Sequence, residues 1–67
     1  MYTYEITHKV SDGMHRTVSV DSNEPYVQAG FLQFDRDDEN EESPVTVAMY
    51  RVDAIVSVEV AGYVQPK

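Results

Sequence analysis

YTYEITHKVSDGMHRTVSV, residues 2–20, decides the fold class. Its even positions to Val10 read Tyr2, Tyr4, Ile6, His8 and Val10, and its odd positions read Thr3, Glu5, Thr7 and Lys9. An apolar side alternating with a polar one at a period of two marks a half-buried β-strand. Beyond Ser11-Asp12-Gly13 the alternation resumes, with Met14, Val18 and Val20 on one side and His15, Thr17 and Ser19 on the other. Register then sets the turn. A two-residue loop at Asp12-Gly13 would put Val10 opposite His15 and Ile6 opposite Ser19, so the two apolar sets would face opposite ways. A three-residue loop over Ser11 to Gly13 pairs Val10 with Met14, Ile6 with Val18 and Tyr4 with Val20, all on one face, and one step of slip would undo this. The expectation is a type I turn with Gly13 left-handed as a bulge.

Working outward, DSNEP at 21–25 is a loop by composition, and Pro25 is a poor fit to a central strand. Residues 26–29 lead into a short strand, GFLQFD at 30–35. DRDDENEESP at 35–44 is a long hairpin loop that Pro44 closes before the strand VTVAMY at 45–50. Val52-Asp53-Ala54 reads as one turn of 3₁₀ helix, because the chain must change direction there. Val56, Val58 and Val60 alternate with Ser57 and Glu59 in a last strand, which Ala61 and Gly62 end. The chain is one domain over 1–62, with a tail at 63–67 that frays unless Tyr63 and Val64 pack. Five short strands separated by turn signals predict an all-β fold, a five-stranded small barrel. The alternative is a strongly curved antiparallel meander that dimerises through an edge, since exposed sheet edges must be managed.

Met49-Tyr50-Arg51-Val52-Asp53-Ala54-Ile55-Val56-Ser57-Val58 resembles the fourth strand, 3₁₀ turn and fifth strand of bacterial Sm-like RNA chaperones. GFLQFD and VAMYRVDAIVSVEV also resemble stretches of small proteins of actinobacteria and their phages. The resemblance covers half the chain and implies an SH3-like or Sm-like barrel. It further implies ring assembly and RNA binding at basic and aromatic pore positions. The chain departs from that pattern in three ways. It lacks the N-terminal helix, has few cations and carries a strongly acidic loop.

The formal net charge is −7. Six acids against Arg36 give the stretch from Asp35 to Glu42 a charge of −5, which leaves −2 for the rest of the chain. The body is thus nearly balanced and carries one acidic protrusion. Lys9, Arg16, Arg36, Arg51 and Lys67 are too few and too scattered to follow a phosphate backbone. There is no cysteine, so disulfides and thiolate metal sites are excluded. No basic segment leads into an apolar run as in a signal peptide, and no apolar stretch approaches the roughly 18 residues of a membrane span. The expected location is the cytoplasm, that of the host if the chain is phage-encoded.

Three groups of residues bear on chemistry. The acids Asp35, Asp37, Asp38, Glu39, Glu41 and Glu42 invite a calcium reading. An EF-hand loop needs Gly at its sixth position and Glu at its twelfth, and Asn40 and Thr46 stand there instead. A solvated loop, a nucleic-acid mimic and a contact to a basic protein patch remain, and the solvated loop is favoured because runs of like charge repel. His8 and His15 fall on opposite faces of the hairpin, so they do not share a metal. His8 and Arg16 on the apolar side imply a hairpin end that protrudes into water. The tyrosines Tyr2, Tyr4, Tyr26, Tyr50 and Tyr63 lack the neighbouring cations of a stacking platform for single strands. They suit core-rim packing or a protein interface. No serine has a usable His-Asp spacing, and no glycine-rich phosphate loop exists.

These readings predict a non-catalytic, acidic protein-binding module without metal or cofactor, an accessory or regulatory protein of a bacterium or phage. Its partner would be a protein with a basic patch, met by Asp35, Asp37, Asp38, Glu39, Glu41 and Glu42 together with Tyr26 and Tyr50. The other readings are an Sm-like ring that binds nucleic acid or a small ligand, and a structural component of an assembly such as a virion. Nucleic acid is disfavoured as a partner, a membrane is not expected, and self-association is left open.

Overall fold

A computed structural model describes residues 1–65. Six strands form: β1 (Tyr2–Ser11), β2 (Met14–Ser22), β3 (Tyr26–Gln28), β4 (Phe31–Arg36), β5 (Val45–Arg51) and β6 (Ile55–Tyr63). A 3₁₀ turn at Val52–Ala54 joins β5 to β6, where the change of direction requires it. The fold is all-β and fully antiparallel, with two three-stranded sheets ordered β2-β1-β6 and β3-β4-β5. No helix among the described residues is long and apolar enough to cross a membrane.

The alternation of the opening stretch sets its register as expected. Tyr4 faces Val20, Ile6 faces Val18, and Gly13 is left-handed at φ 72°. The end of the hairpin differs. Ser11 faces Met14, and the irregularity lies between Lys9 and Ser11, so Val10 does not pair with Met14. The reason is that Val10 and Met14 are both exposed. Nothing buried at that end requires them to meet, and the extra residue is absorbed in the strand.

The strand count and the closure also differ from a five-stranded barrel. Tyr26–Gln28 is a strand in its own right, paired with Phe31–Gln33 across the two residues Ala29-Gly30. Both have positive φ, 53° and 82°, the requirement of a type I′ hairpin. The two sheets are not closed into a barrel: β5 pairs with β4 alone and β6 with β1 alone. They meet at one corner. Asn23 N–H donates to Asp35 O at 2.8 Å. The Arg36 guanidinium donates to Asp21 O through Nε at 2.9 Å and Nη2 at 2.7 Å. Pro25, which has no N–H to give, sits where β2 yields to β3.

The core is small. Ile6 and Phe34 are 0% exposed and Tyr4 6%, with Val18, Val20, Leu32, Ala48 and Tyr50 packed around them. Tyr4 and Phe34 meet at 5.7 Å between ring centroids, and Phe34 and Tyr50 at 6.2 Å, distances at which tilted and edge-on rings attract. Ser22, also buried, donates its hydroxyl to Asn23 O at 2.7 Å. β6 runs through Tyr63, and Val64 N–H donates to Met1 O at 2.9 Å. The rest of the expected tail, residues 66–67, lies outside the described residues.

Candidate binding surface

Asp35 belongs to β4 and is bound on both oxygens. Its Oδ2 accepts from the Tyr26 hydroxyl at 2.8 Å, and its Oδ1 accepts from Thr46 Oγ1 at 2.8 Å. Tyr26 Oη also lies 3.2 Å from Gln33 Oε1. A polar ladder therefore crosses β3, β4 and β5 on the outer face. The hydrogen bond to Asp35 holds the Tyr26 phenol above its ordinary pKa of 10, aided by burial and the Asp35 charge and opposed by Thr46. Asp35 stitches the sheet, which separates it from the other five acids.

Those five stand in the connection after β4. Asp38 spends its groups on its own turn: Oδ1 accepts from Asn40 N–H at 2.9 Å, and its carbonyl accepts from Glu41 N–H at 3.0 Å. Such side-chain-to-backbone turns are what Asp favours in loops. Asp37 lies 3.4 Å from Asn23 Nδ2. Arg36, the one cation of the run, reaches back to Asp21 O and neutralises none of them. Among the described residues the ion pair is Arg51–Asp53, at 3.1 Å and exposed, a kind worth little in water. No group of three His, Asp or Glu among the described residues could hold a metal ion. Asp37, Asp38, Glu39, Glu41 and Glu42 thus form an unneutralised acidic prominence. At its foot, Val45 and Val47 of β5 line a shallow depression with Arg36, Asp37, Asp38 and Glu39.

Tyr26 and Tyr50 do not come together. Tyr26 opposes Gln33 and Tyr50 opposes Leu32. Neighbours on β4 point to opposite faces, so Tyr26 is outside and Tyr50 inside. Tyr50 packs on His8 at 4.8 Å and on Phe34. His8 is accordingly half-buried, not wet as its place opposite Arg16 suggested, while Arg16 is exposed. Burial raises the Tyr4 phenol pKa, with Glu24 and Tyr2 adding to the shift.

A second surface was not singled out from sequence. Val60 opposes Tyr4 and Val58 opposes Ile6, so both point to the core side of their sheet. The sheet β3-β4-β5 packs mainly over β2 and leaves much of β6 exposed. Val58 is 36% exposed, Val60 62% and Tyr63 58%. Tyr63 stacks edge-on with Tyr2 at 5.2 Å. The valine alternation was legible as a strand, but nothing local in it says that its inner face goes uncovered. Compared with known proteins, the chain matches no family model, no curated protein and no solved structure.

Proposed function

We propose that the chain is a non-catalytic protein-binding module whose partner lays an extended basic segment along the outer edge of β5. The observation that carries this reading is the position of the acidic prominence. Asp37, Asp38 and Glu39 stand with Arg36 beside Val45 and Val47, and Glu41 and Glu42 follow in the same connection, at the start of a strand whose second edge is unpaired. A strand edge supplies backbone hydrogen bonds and apolar side chains supply area, which is how β-augmentation binds. The acids steer a basic segment towards that edge and away from acidic competitors. The active groups of an enzyme have no counterpart in this reading: His8 serves packing, and the Ser22 hydroxyl is bound to backbone.

The test is a fluorescence titration with an extended peptide that alternates lysine and valine, at low and at high salt. Binding should weaken steeply with salt. Replacement of Asp37 and Asp38 by Asn, Glu39, Glu41 and Glu42 by Gln should remove the salt dependence and most of the affinity. Asp35 stays, since its loss would loosen the sheet. A five-fold variant that binds as tightly as the wild type, with the same salt dependence, would sink the reading.

A second reading keeps the Sm-like resemblance. Counting β2 and β3 as one strand bent at Pro25 yields five strands in the order β6-β1-β2/β3-β4-β5, the count of an SH3-like or Sm-like barrel. Unpaired edges on both outer strands, β5 and β6, favour head-to-tail joining into a ring. That reading requires a mass of several subunits in solution and an RNA or small-ligand complex at physiological salt.

A further inference from the structure

We infer that β6 pairs with β6 of a second copy of this chain, antiparallel about a two-fold axis, so that two sheets merge into one of six strands. Area is the first argument. A folded 7.6 kDa chain should expose about 4,300 Å², and this one exposes 4975 Å². The excess, about 700 Å², is close to the roughly 800 Å² that each partner contributes to a stable interface. Val58, Val60 and Tyr63, on the core side of their sheet, belong to this exposed surface at 36%, 62% and 58% exposure.

The backbone is the second argument. Val64 N–H bonds to Met1 O, so the odd residues of β1 face β6. By alternation Glu5 and Thr7 bond to their partners Glu59 and Ser57. The N–H and C=O of Val58 between them therefore point to the free edge. A nine-residue strand with such an edge is a ready template for a copy of itself.

Charge selects the direction and the register. The base of the acidic loop lies beside the chain start, where Met1, Asn23, Arg36 and Asp37 line one depression. The loop is thus at the Tyr63 end of β6. Antiparallel pairing sends the two loops to opposite ends of the pair, whereas parallel pairing would put them side by side. Glu59 is the one charge within β6. A register centred on Val58 sets Glu59 opposite Ser57 and Val60 opposite Val56, and keeps the two Glu59 side chains apart. The same patch then meets itself, as a two-fold interface requires. The outer edge of β5 is untouched, so this inference stands or falls independently of the basic-segment reading, and it excludes the ring.

Light scattering after size exclusion, on the full chain over a range of concentrations, should give twice the 7.6 kDa chain mass. Val58→Pro removes an edge N–H and leaves the ladder to β1 intact, so the mass should halve with the β circular dichroism retained. Met49→Pro does the same to β5, whose Met49 amide also faces outward, because Val52 N–H bonds to Gly30 O. That variant should remain a dimer. A monomer at all concentrations, a ring-sized mass, or a dimer that survives Val58→Pro and fails with Met49→Pro would overturn the inference. Should Val58→Pro lose its β signal, hydrogen exchange of the wild type decides: a protected Val58 amide supports the pairing, and exchange at the rate of an open edge refutes it.

Discussion

At the scale of single residues, Phe34 and Tyr26 act in opposite ways. Phe34 is wholly buried between the two sheets. Truncation of such a ring to Ala costs about 3–4 kcal/mol. A chain of this length has a total stability of roughly 3–10 kcal/mol, so Phe34→Ala should lose about a third or more of it and show a strongly lowered urea midpoint, while Ile6→Val should fold with a midpoint only slightly lowered. Tyr26 stands at the surface and contributes through one proton. Its folded pKa is raised by the bond to Asp35, so the native state holds that proton more tightly than the unfolded chain. The contribution is complete below the unfolded phenol value of 10 and is lost as pH rises through the folded value. Tyr26→Phe should remove one of the two late-ionising phenols from an alkaline spectrophotometric titration, leaving that of Tyr4. It should also flatten the loss of urea midpoint above pH 10. An unchanged titration would mean that the Tyr26–Asp35 bond does not form in solution. Asp35 shows how far a residue-level reading reaches: its acidity was plain in the sequence, but its two hydrogen-bond donors lie on other strands.

At the scale of elements, the two hairpin turns differ in legibility. Gly13 announced its left-handed turn, and its φ of 72° agrees. Gly13→Ala should lower stability by about 1 kcal/mol, read as a shift in urea midpoint. The β3–β4 turn was hidden because Ala29 stands where such turns use Asn or Gly, and Pro25 argued against a strand just before it. Ala29 nevertheless takes φ 53°, a conformation that costs an L-residue about 1–2 kcal/mol. Ala29→Asn should therefore raise stability by about 0.5–1 kcal/mol. If Ala29→Asn leaves the urea midpoint unchanged or lowers it, the type I′ assignment is wrong. The 3₁₀ turn at Val52–Ala54 was legible because two strands with little chain between them need a sharp bend.

At the scale of the whole molecule, charge and surface dominate. Of the net −7, −5 stands between Asp35 and Glu42 and repels itself, and salt screens that repulsion beyond a Debye length. Added salt should raise the melting midpoint of the wild type. The gain should shrink when Asp37, Asp38, Glu39, Glu41 and Glu42 are replaced by Asn and Gln. An equal gain in that variant would show that the loop is not the source of the repulsion. The molecule measures 39 × 26 × 15 Å, thin for a body meant to enclose a core. Beside the core around Phe34, one corner ties the sheets together by hydrogen bonds, through Asn23, Arg36 and the carbonyls of Asp35 and Asp21. Arg36 was counted in the sequence as the lone counter-charge of the acidic run. It works instead as a clasp, because its neighbours in space are the backbone oxygens at the end of β2.

The sequence by itself determined the all-β class, the β1–β2 register from Tyr4 to Val20, the left-handed Gly13 and the 3₁₀ turn. All of these are written in local alternation and local backbone preference, which act over a few residues. Tertiary structure alone decided that β3 exists, that the sheets stay open, that Asp35 leaves the acidic group, and that Val58, Val60 and Tyr63 remain uncovered. Each depends on which distant strand lies alongside, and a period of two specifies a face without naming the neighbour that will cover it.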